Sequence, residues 1–472
     1  MRIYFVGIGG VGMSGLAQAV VERGEDACGS DLHSSPITQR LQALGVRVYL
    51  GHSSDHIERE QPDLVVASAA IKPDNPEIIT ARERGITVMT RAEFLGQLMK
   101  RYAGPRVAVA GTHGKTTTTA MAALVMMKGG LDPTVLVGGD VGFLGGNARI
   151  GTGEAFITEA CEAYDSFLHI PGQLRVITNI EPDHLDYFGN FDRVLQSFRQ
   201  FARGGREPEP GCVIACADDR AALELATSLD PEERLILYGL NVDVRHLPSV
   251  HCAYELVAQA VAPRGSGFRF EAVRVRDGSE ERLGRLELQV PGLHNVRNAL
   301  AALAVGLEAG VSAQVAAEAL GSFHGVERRF EVLGEVGDVL VLDDYAHHPT
   351  EIAATLAAAR QVYPSRRLVA VFQPHLYSRT VDFLDGFAEA LAGFDAVLVT
   401  DIYPAREAPI PGVSGRLIVE RIAKRAPERT VLYVPELRAS VDTLREITRP
   451  GDVVLTIGAG DVRQVGTGLL ER

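Results

Sequence analysis

Lys115 and the residues before it carry the clearest chemistry in the chain. Gly111-Thr112-His113-Gly114-Lys115-Thr116-Thr117 follows Val107 to Ala110, small apolar residues that read as a buried strand, and opens a helical pattern running to Met127. Strand, glycine turn and helix start together make a phosphate-binding layout. Backbone N–H groups and the positive end of the helix dipole then face one anion. Lys115 is placed for the outer phosphates of a nucleoside triphosphate and the Thr116 hydroxyl for Mg2+. The strict spacing would put the first glycine at Val109; Gly111 takes its place, so the loop is a shorter variant. The competing reading is a plain strand–helix turn.

Two further strands, expected at residues 155–158 and 176–180, end in Glu159-Ala-Cys161-Glu162 and in Glu181-Pro-Asp183-His184-Leu-Asp186. In a parallel sheet, both ends lie on the edge that carries the phosphate loop. Mg2+ takes oxygen ligands, which suits Glu162. His184 stands between metal ligand and structural cap, and Asp183 and Asp186 read as helix caps.

A second glycine motif opens the chain. Gly7-Ile-Gly9-Gly10-Val-Gly12-Met-Ser14 follows an expected strand at 3–6, and Asp31 stands nineteen residues beyond Gly12, where a carboxylate reaches a ribose hydroxyl. By itself the motif says Rossmann-like, with NAD(P) or another nucleotide as ligand. Ser68 follows the expected strand 64–67, again at a ligand-binding edge or in a mere turn. Asn295 and Asn298, three apart, share a helix face. Near the C-terminus, strands at 339–342, 368–372 and 396–400 end in Asp344-Tyr345-Ala-His347, in His375-Leu376-Tyr377-Ser-Arg379 and in Asp401 to Pro409.

The elements that position these groups alternate strand and helix throughout, which is α/β architecture. We expect three domains: a Rossmann-like one at 1–103, a phosphate-loop ATPase-like one at 104–327 and a second Rossmann-like one at 328–472. Gly-rich residues 137–146 read as a flexible connection over the site. Residues 212–290 read as strands and short helices without special chemistry, and Gly325 to Phe330 as a hinge. The 472 residues sum to a net charge of −13, which argues against general nucleic-acid binding and leaves anionic ligands to local dipoles and a few cations. Cys28, Cys161, Cys212, Cys216 and Cys252 are scattered and lack the paired spacing of a zinc site, so reduced thiols in the cytoplasm are expected. Residues 1–6 open a strand instead of a signal peptide, and no apolar run reaches the ~18 residues of a membrane span.

These motifs, taken in order, resemble the Mur ligase family nearly end to end. The resemblance rests on Gly7 to Gly15, Gly111 to Thr119, Glu181 to Asp186, His294-Asn-Val-Arg-Asn298, Arg328-Arg-Phe330, Asp344-Tyr-Ala-His-His-Pro349 and Tyr403 to Pro409. It implies an ATP- and Mg2+-dependent ligase joining L-alanine to the lactyl carboxylate of UDP-N-acetylmuramate, as a monomer or homodimer. On that resemblance Gly7, Gly9, Gly10, Gly12, Ser14, Asp31 and Ser68 would hold the UDP-sugar. Gly111 to Thr117 with Asn295, Arg329 and Asp344 would hold ATP, and Thr116, Glu162 and His184 the metal. Tyr345, His347, His375 and Arg379 would surround the amino acid, with His347 a candidate base. One departure stands out: Leu376 replaces a second arginine, and Arg406 is a cation that could compensate. A ligase that recycles murein peptides, a nicotinamide dehydrogenase and a non-catalytic nucleotide-binding regulator are the alternatives.

Overall fold

The computed structural model describes residues 1–472 apart from Ala69, Pro231, 241–251, Arg406 and Arg472. The described chain forms three sheets flanked by helices. Two compact units emerge. One holds Met1–Val261, Phe270–Glu287 and Val296–Phe323; the other holds Ala262–Arg269, Leu288–Asn295 and His324–Arg472.

The first unit carries two of the sheets. In the N-terminal one the strands lie in the order Arg47–Leu50, Asp26–Asp31, Arg2–Val6, Leu64–Ala67, Thr87–Thr90, every neighbour parallel. The order reverses at Arg2–Val6, so a crevice opens at its carboxyl end. The next sheet has ten strands, and Arg106–Ala110, which feeds the phosphate loop, lies between Leu174–Ile177 and Phe156–Glu159, parallel to both. That register delivers Gly111, Glu162 and the Glu181 segment to one edge. One apolar core runs through both sheets, from Ile3, Phe5 and Leu16 by way of Phe94, Leu98 and Tyr102 to Phe156, Phe167 and Phe198.

The second unit holds a six-stranded sheet in the order Glu331–Val336, Val339–Asp344, Val453–Ile457, Leu368–Phe372, Ala396–Val399, Thr430–Tyr433; only the first pair is antiparallel. Its strands are apolar on both faces. Leu342, Ala370, Phe372 and Leu455 enter one core, and Val341, Val369, Val371 and Val454 the other. Alternate residues point to opposite faces, so a sheet covered by helices on both sides needs continuous apolar runs.

Most expected strands and helices are present within a residue or two. One reading is corrected. Residues 137–146 form no loose connection; strand Thr134–Val141 turns through Gly142–Leu144 into antiparallel strand Gly146–Arg149. Val135, Val137 and Val141 are buried, and the main chain at Gly138 is held by the Glu159 carboxylate, which accepts from its N–H at 2.5 Å. The glycines made this stretch look mobile, but the valines between them supply enough buried surface for a strand. The arm lies against the helix after the first glycine motif: Asn147 Nδ2 donates to Val11 O at 2.7 Å. The helix expected at 299–309 begins earlier, at Leu293, so Asn295 and Asn298 lie in its first turns. Among the described residues, no helix is long and apolar enough to cross a membrane.

Candidate active site

At the phosphate loop the backbone does what the glycines permit. Gly111 has φ +133° and Gly114 φ +83°, both in the left-handed range. A Cβ built on Gly111 would lie 2.0 Å from Thr178 Oγ1, and one on Gly114 would lie 2.9 Å from Asn298 Oδ1, so both positions are closed to other residues. The neighbouring strand end holds the loop in place. Thr178 Oγ1 and Asn179 Nδ2 both donate to His113 O, at 2.6 and 3.0 Å, and His113 N donates back to Asn179 Oδ1 at 2.8 Å. Thr112 Oγ1 accepts from Glu181 N at 2.9 Å. Thr178, Asn179 and Asn298 are contacts the sequence reading did not single out for this loop. Their signal was polar residues directly after a buried strand and on the buried face of a helix.

Lys115 curls back over its own loop, donating to Gly111 O at 2.5 Å and Thr112 O at 3.0 Å, and meets Glu162 at 3.0 and 3.2 Å. Burial would push its ammonium down, but Glu162 outweighs that and Lys115 is held above its ordinary value. Thr116 is buried in the first turn of helix Lys115–Lys128, with Thr117 beside it.

Glu162, Asp183 and His184 form one group, their ligand atoms all within 4.8 Å of one another. Two carboxylates and an imidazole are a donor set for a divalent cation, so the residues present fit the metal that the sequence pattern implied. Asp183, read from sequence as a cap, belongs to this group while its Oδ1 accepts from His184 N at 2.8 Å. The segments bearing these ligands are strained: Tyr164 and Asp165 each have φ +56°, and His184 φ +52°. Asp165 joins them, accepting from Tyr187 Oη at 2.9 Å and from Ser197 Oγ. Cys161, beside Glu162, is a free thiol.

At the first glycine motif, Gly7 N and Ile8 N donate to Ser30 O, and Gly9 N donates to Asp31 Oδ2 at 2.8 Å. Asp31 therefore bonds the loop itself. Gly7, at φ +81°, lies against Ser68: a Cβ there would be 3.3 Å from that of Ser68. Gly10 caps helix Val11–Glu22, and the buried Ser14 hydroxyl donates to Val11 O at 2.9 Å, inside the helix. Gly12 has the Arg91 guanidinium packed on it.

In the second unit Asp344 is buried and accepts from Phe330 N and Ala346 N, both at 2.8 Å. Burial pushes its carboxyl up to about 6, against the pull of Arg329 and those two N–H groups. Arg329 lies 5.1 Å from the centre of the Tyr345 ring. Tyr345, His347 and His375 then follow one another with ring centres 5.5 and 5.9 Å apart, His375 stacks on Tyr403, and Arg379 reaches His375 Nδ1 at 3.3 Å. The structure thus gathers Tyr345, His347, His375 and Arg379 and adds Tyr403. His347 Nδ1 lies 3.0 Å from Tyr345 O. A carbonyl only accepts, so Nδ1 carries a proton, and Glu351 Oε2 lies 3.3 Å from the same nitrogen. Leu376 sits at φ +69°, a strained conformation for leucine. Arg406 lies outside the described residues, while its neighbour Glu407 accepts from Ser378 N at 3.0 Å. Asn295 Nδ2 donates to Pro291 O at 2.7 Å.

Three sequence profiles match in order along the chain: "Mur ligase family, catalytic domain" at residues 2–103, "Mur ligase middle domain" at 109–306 and "Mur ligase, glutamate ligase domain" at 328–460. A UDP-N-acetylmuramate–L-alanine ligase of Salinibacter ruber is 47% identical over 471 residues, 100% of this chain and 94% of the relative. Among solved structures, a UDP-N-acetylmuramate-alanine ligase from Thermotoga maritima superposes with TM-score 0.79 at 31% identity, covering 100% of this chain and 99% of the other. A murein peptide ligase from Psychrobacter arcticus superposes with TM-score 0.71 at 25% identity, covering 100% and 98%. With the matched profiles spread over three quarters of its length or more, and the phosphate loop, carboxylate pair and aromatic cluster in place, the chain belongs to the Mur ligase family.

Proposed function

We propose that this protein joins L-alanine to the lactyl carboxylate of UDP-N-acetylmuramate at the expense of ATP, a step in building peptidoglycan precursors. The observation that carries this reading is the likeness over the full chain to a ligase of that name, 47% identical. The arrangement of Lys115 with Glu162, Asp183 and His184 supports the ATP half of the reaction. Greater identity to the alanine ligase than to the murein peptide ligase, 31% against 25%, favours the amino acid over the peptide.

A carboxylate does not acylate an amine unaided, because oxide is a poor leaving group. In the proposed reaction a carboxylate oxygen attacks the γ-phosphorus and ADP leaves. The alanine nitrogen then attacks the acyl carbon, phosphate departs, and the amine gives up a proton. Positioning and charge neutralisation carry phosphoryl transfer. Here the loop amides of Gly111 to Gly114 and the Lys115 ammonium face the phosphates. Glu162 and His184, with Asp183 and the Thr116 hydroxyl, would hold Mg2+, which supplies neutralisation of phosphate charge. Arg379 holds the alanine carboxylate, and His347 takes the amine proton. Arg329 and Asp344 contact the nucleotide.

The test is phosphate release from ATP and UDP-N-acetylmuramate, with L-alanine, glycine, L-serine and a murein tripeptide as acceptors. We expect release that depends on L-alanine, and a loss of about a thousandfold or more in Lys115→Ala. Release driven by the tripeptide alone, or ligation without ATP consumption, would overturn the assignment.

A further inference from the structure

We propose that Tyr164 and Tyr187 form a platform for the pyranose ring of the sugar nucleotide, which stacks its apolar face on their exposed rings beside Glu162 and His184. The inference rests on the reading of UDP-N-acetylmuramate as the substrate.

The two tyrosines arrive from different strand ends. Tyr164 follows Glu162 in the segment Ala163–His169, and Tyr187 follows His184 in the short helix Leu185–Phe188. Their rings meet with centres 5.2 Å apart at an angle of 64°. Neither is part of the apolar core. Phe167 and Phe188, from the same two segments, enter it and are 0% and 3% exposed, whereas Tyr164 and Tyr187 are 40% and 41% exposed. One aromatic left at the surface needs no explanation. Two packed together at one edge, while their neighbours turn inward, make a patch of the kind that receives a ligand.

The backbone is bent to keep Tyr164 there. Its φ of +56° is a left-handed conformation that a bulky residue adopts only where the surroundings enforce it. Asp165, also at φ +56°, supplies the constraint: its carboxylate accepts from Tyr187 Oη at 2.9 Å and from Ser197 Oγ. The same bond pins the Tyr187 ring by its hydroxyl end. A tyrosine held at its polar tip and offering its apolar body suits a ligand that is itself part apolar and part polar.

Placement names that ligand. The lactyl carboxylate must come to the phosphate whose metal Glu162, Asp183 and His184 would hold. The lactyl group hangs from the pyranose through one ether oxygen, so the sugar ring is the part of the substrate that must lie beside these residues. A pyranose gathers C–H groups on its faces, where they meet the electron-rich face of an aromatic ring, and turns its hydroxyls outward around the rim. The diphosphate, the carboxylate and the ammonium group of the substrates carry charge and gain nothing from such a surface.

The experiment is calorimetric titration of full-length wild type, Tyr164→Asn and Tyr164→Phe with UDP and with UDP-N-acetylmuramate, alongside the KM of each substrate and the Mn2+ dissociation constant. Asparagine tolerates the left-handed conformation, so Tyr164→Asn removes the ring without straining the loop. We expect Tyr164→Asn to weaken UDP-N-acetylmuramate about tenfold and to raise its KM by a similar factor. Affinity for UDP, which has no sugar ring, should be unchanged, as should the KM for ATP and for L-alanine and the affinity for Mn2+. Tyr164→Phe keeps the ring and should recover the loss. Wild-type affinity for UDP-N-acetylmuramate in Tyr164→Asn would overturn the proposal. So would a rise confined to the KM for ATP, which puts the adenine on these rings, or a parallel loss of Mn2+ affinity, which makes the pair a brace for the metal loops. Wild type that binds no UDP-N-acetylmuramate would overturn instead the proposed function itself.

Discussion

Asp344 shows how a single side chain can set a pH dependence. Its carboxyl is pushed up to about 6 by burial, from an ordinary value near 4 in the unfolded chain. The folded state then binds more protons than the unfolded state between those values, so stability falls as pH rises from about 4 to about 6 and is level beyond. Asp344→Asn removes that titration. Urea unfolding at pH 5 and pH 7.5 should show the variant gaining on wild type by roughly 1 kcal/mol as pH rises, whatever it loses at both pH values from one unsatisfied N–H. A difference between the two proteins that does not change with pH would show that Asp344 titrates normally. Residue types alone gave much at this scale. Lys115, Glu162 and His184 were named from their places after buried strands, and the structure gathers them. Asp183 reads as a cap because a carboxylate before a short helix usually is one; only the fold reveals that Glu162, from another strand end, lies beside it and His184. Asn298 beside Gly114 was hidden for the same reason, since the two are far apart in sequence.

The elements carry their own lesson in the two loops that hold the metal-ligand candidates. Each ends a parallel strand and each stores left-handed residues, at Tyr164 and Asp165 on one and at His184 on the other. Strain of this kind persists only where contacts over-determine it. Here the Asp165 carboxylate ties the loops together through Tyr187 Oη and Ser197 Oγ, while the Tyr164 and Tyr187 rings meet edge to face at 5.2 Å. Asp165→Asn and Tyr187→Phe should loosen the spacing of Glu162 and His184. We expect the Mg2+ concentration for half-maximal turnover, and the Mn2+ dissociation constant by electron paramagnetic resonance, to rise about tenfold, with KM for L-alanine unchanged. Unaltered Mn2+ affinity in both variants would remove the tie from the metal site. Strand and helix positions were legible because apolar runs and glycine turns are local signals. The arm at 134–149 was not, because its glycines and valines point opposite ways and only packing on helix Val11–Glu22 decides between them.

At the scale of the first unit, two sheets share one core, and the arm is part of the joint. Gly15 on helix Val11–Glu22 faces it: a Cβ built there would lie 3.1 Å from Leu136 Cδ2 and 3.3 Å from Ala148 Cβ and Asn147 Nδ2. Gly15→Leu forces those groups apart, and overpacking of this kind costs about 1–3 kcal/mol. Scanning calorimetry should show a lower melting temperature for Gly15→Leu and a near-normal one for Gly142→Ala, whose added Cβ would meet nothing within 4 Å. Equal melting temperatures for Gly15→Leu and wild type would mean the joint is loose. The shared core bears also on how this protein is cut for study. Phe94, Leu95, Leu98 and Met99 pack in the same cluster as Phe167 and Leu168, and the Tyr102 ring lies 4.9 Å from that of Phe156. A fragment comprising only the sugar-nucleotide end would be trimmed through its own interior. It would bare an oily face to water and self-associate, and compounds found to stick to it in a screen would report on a surface that the intact enzyme never shows.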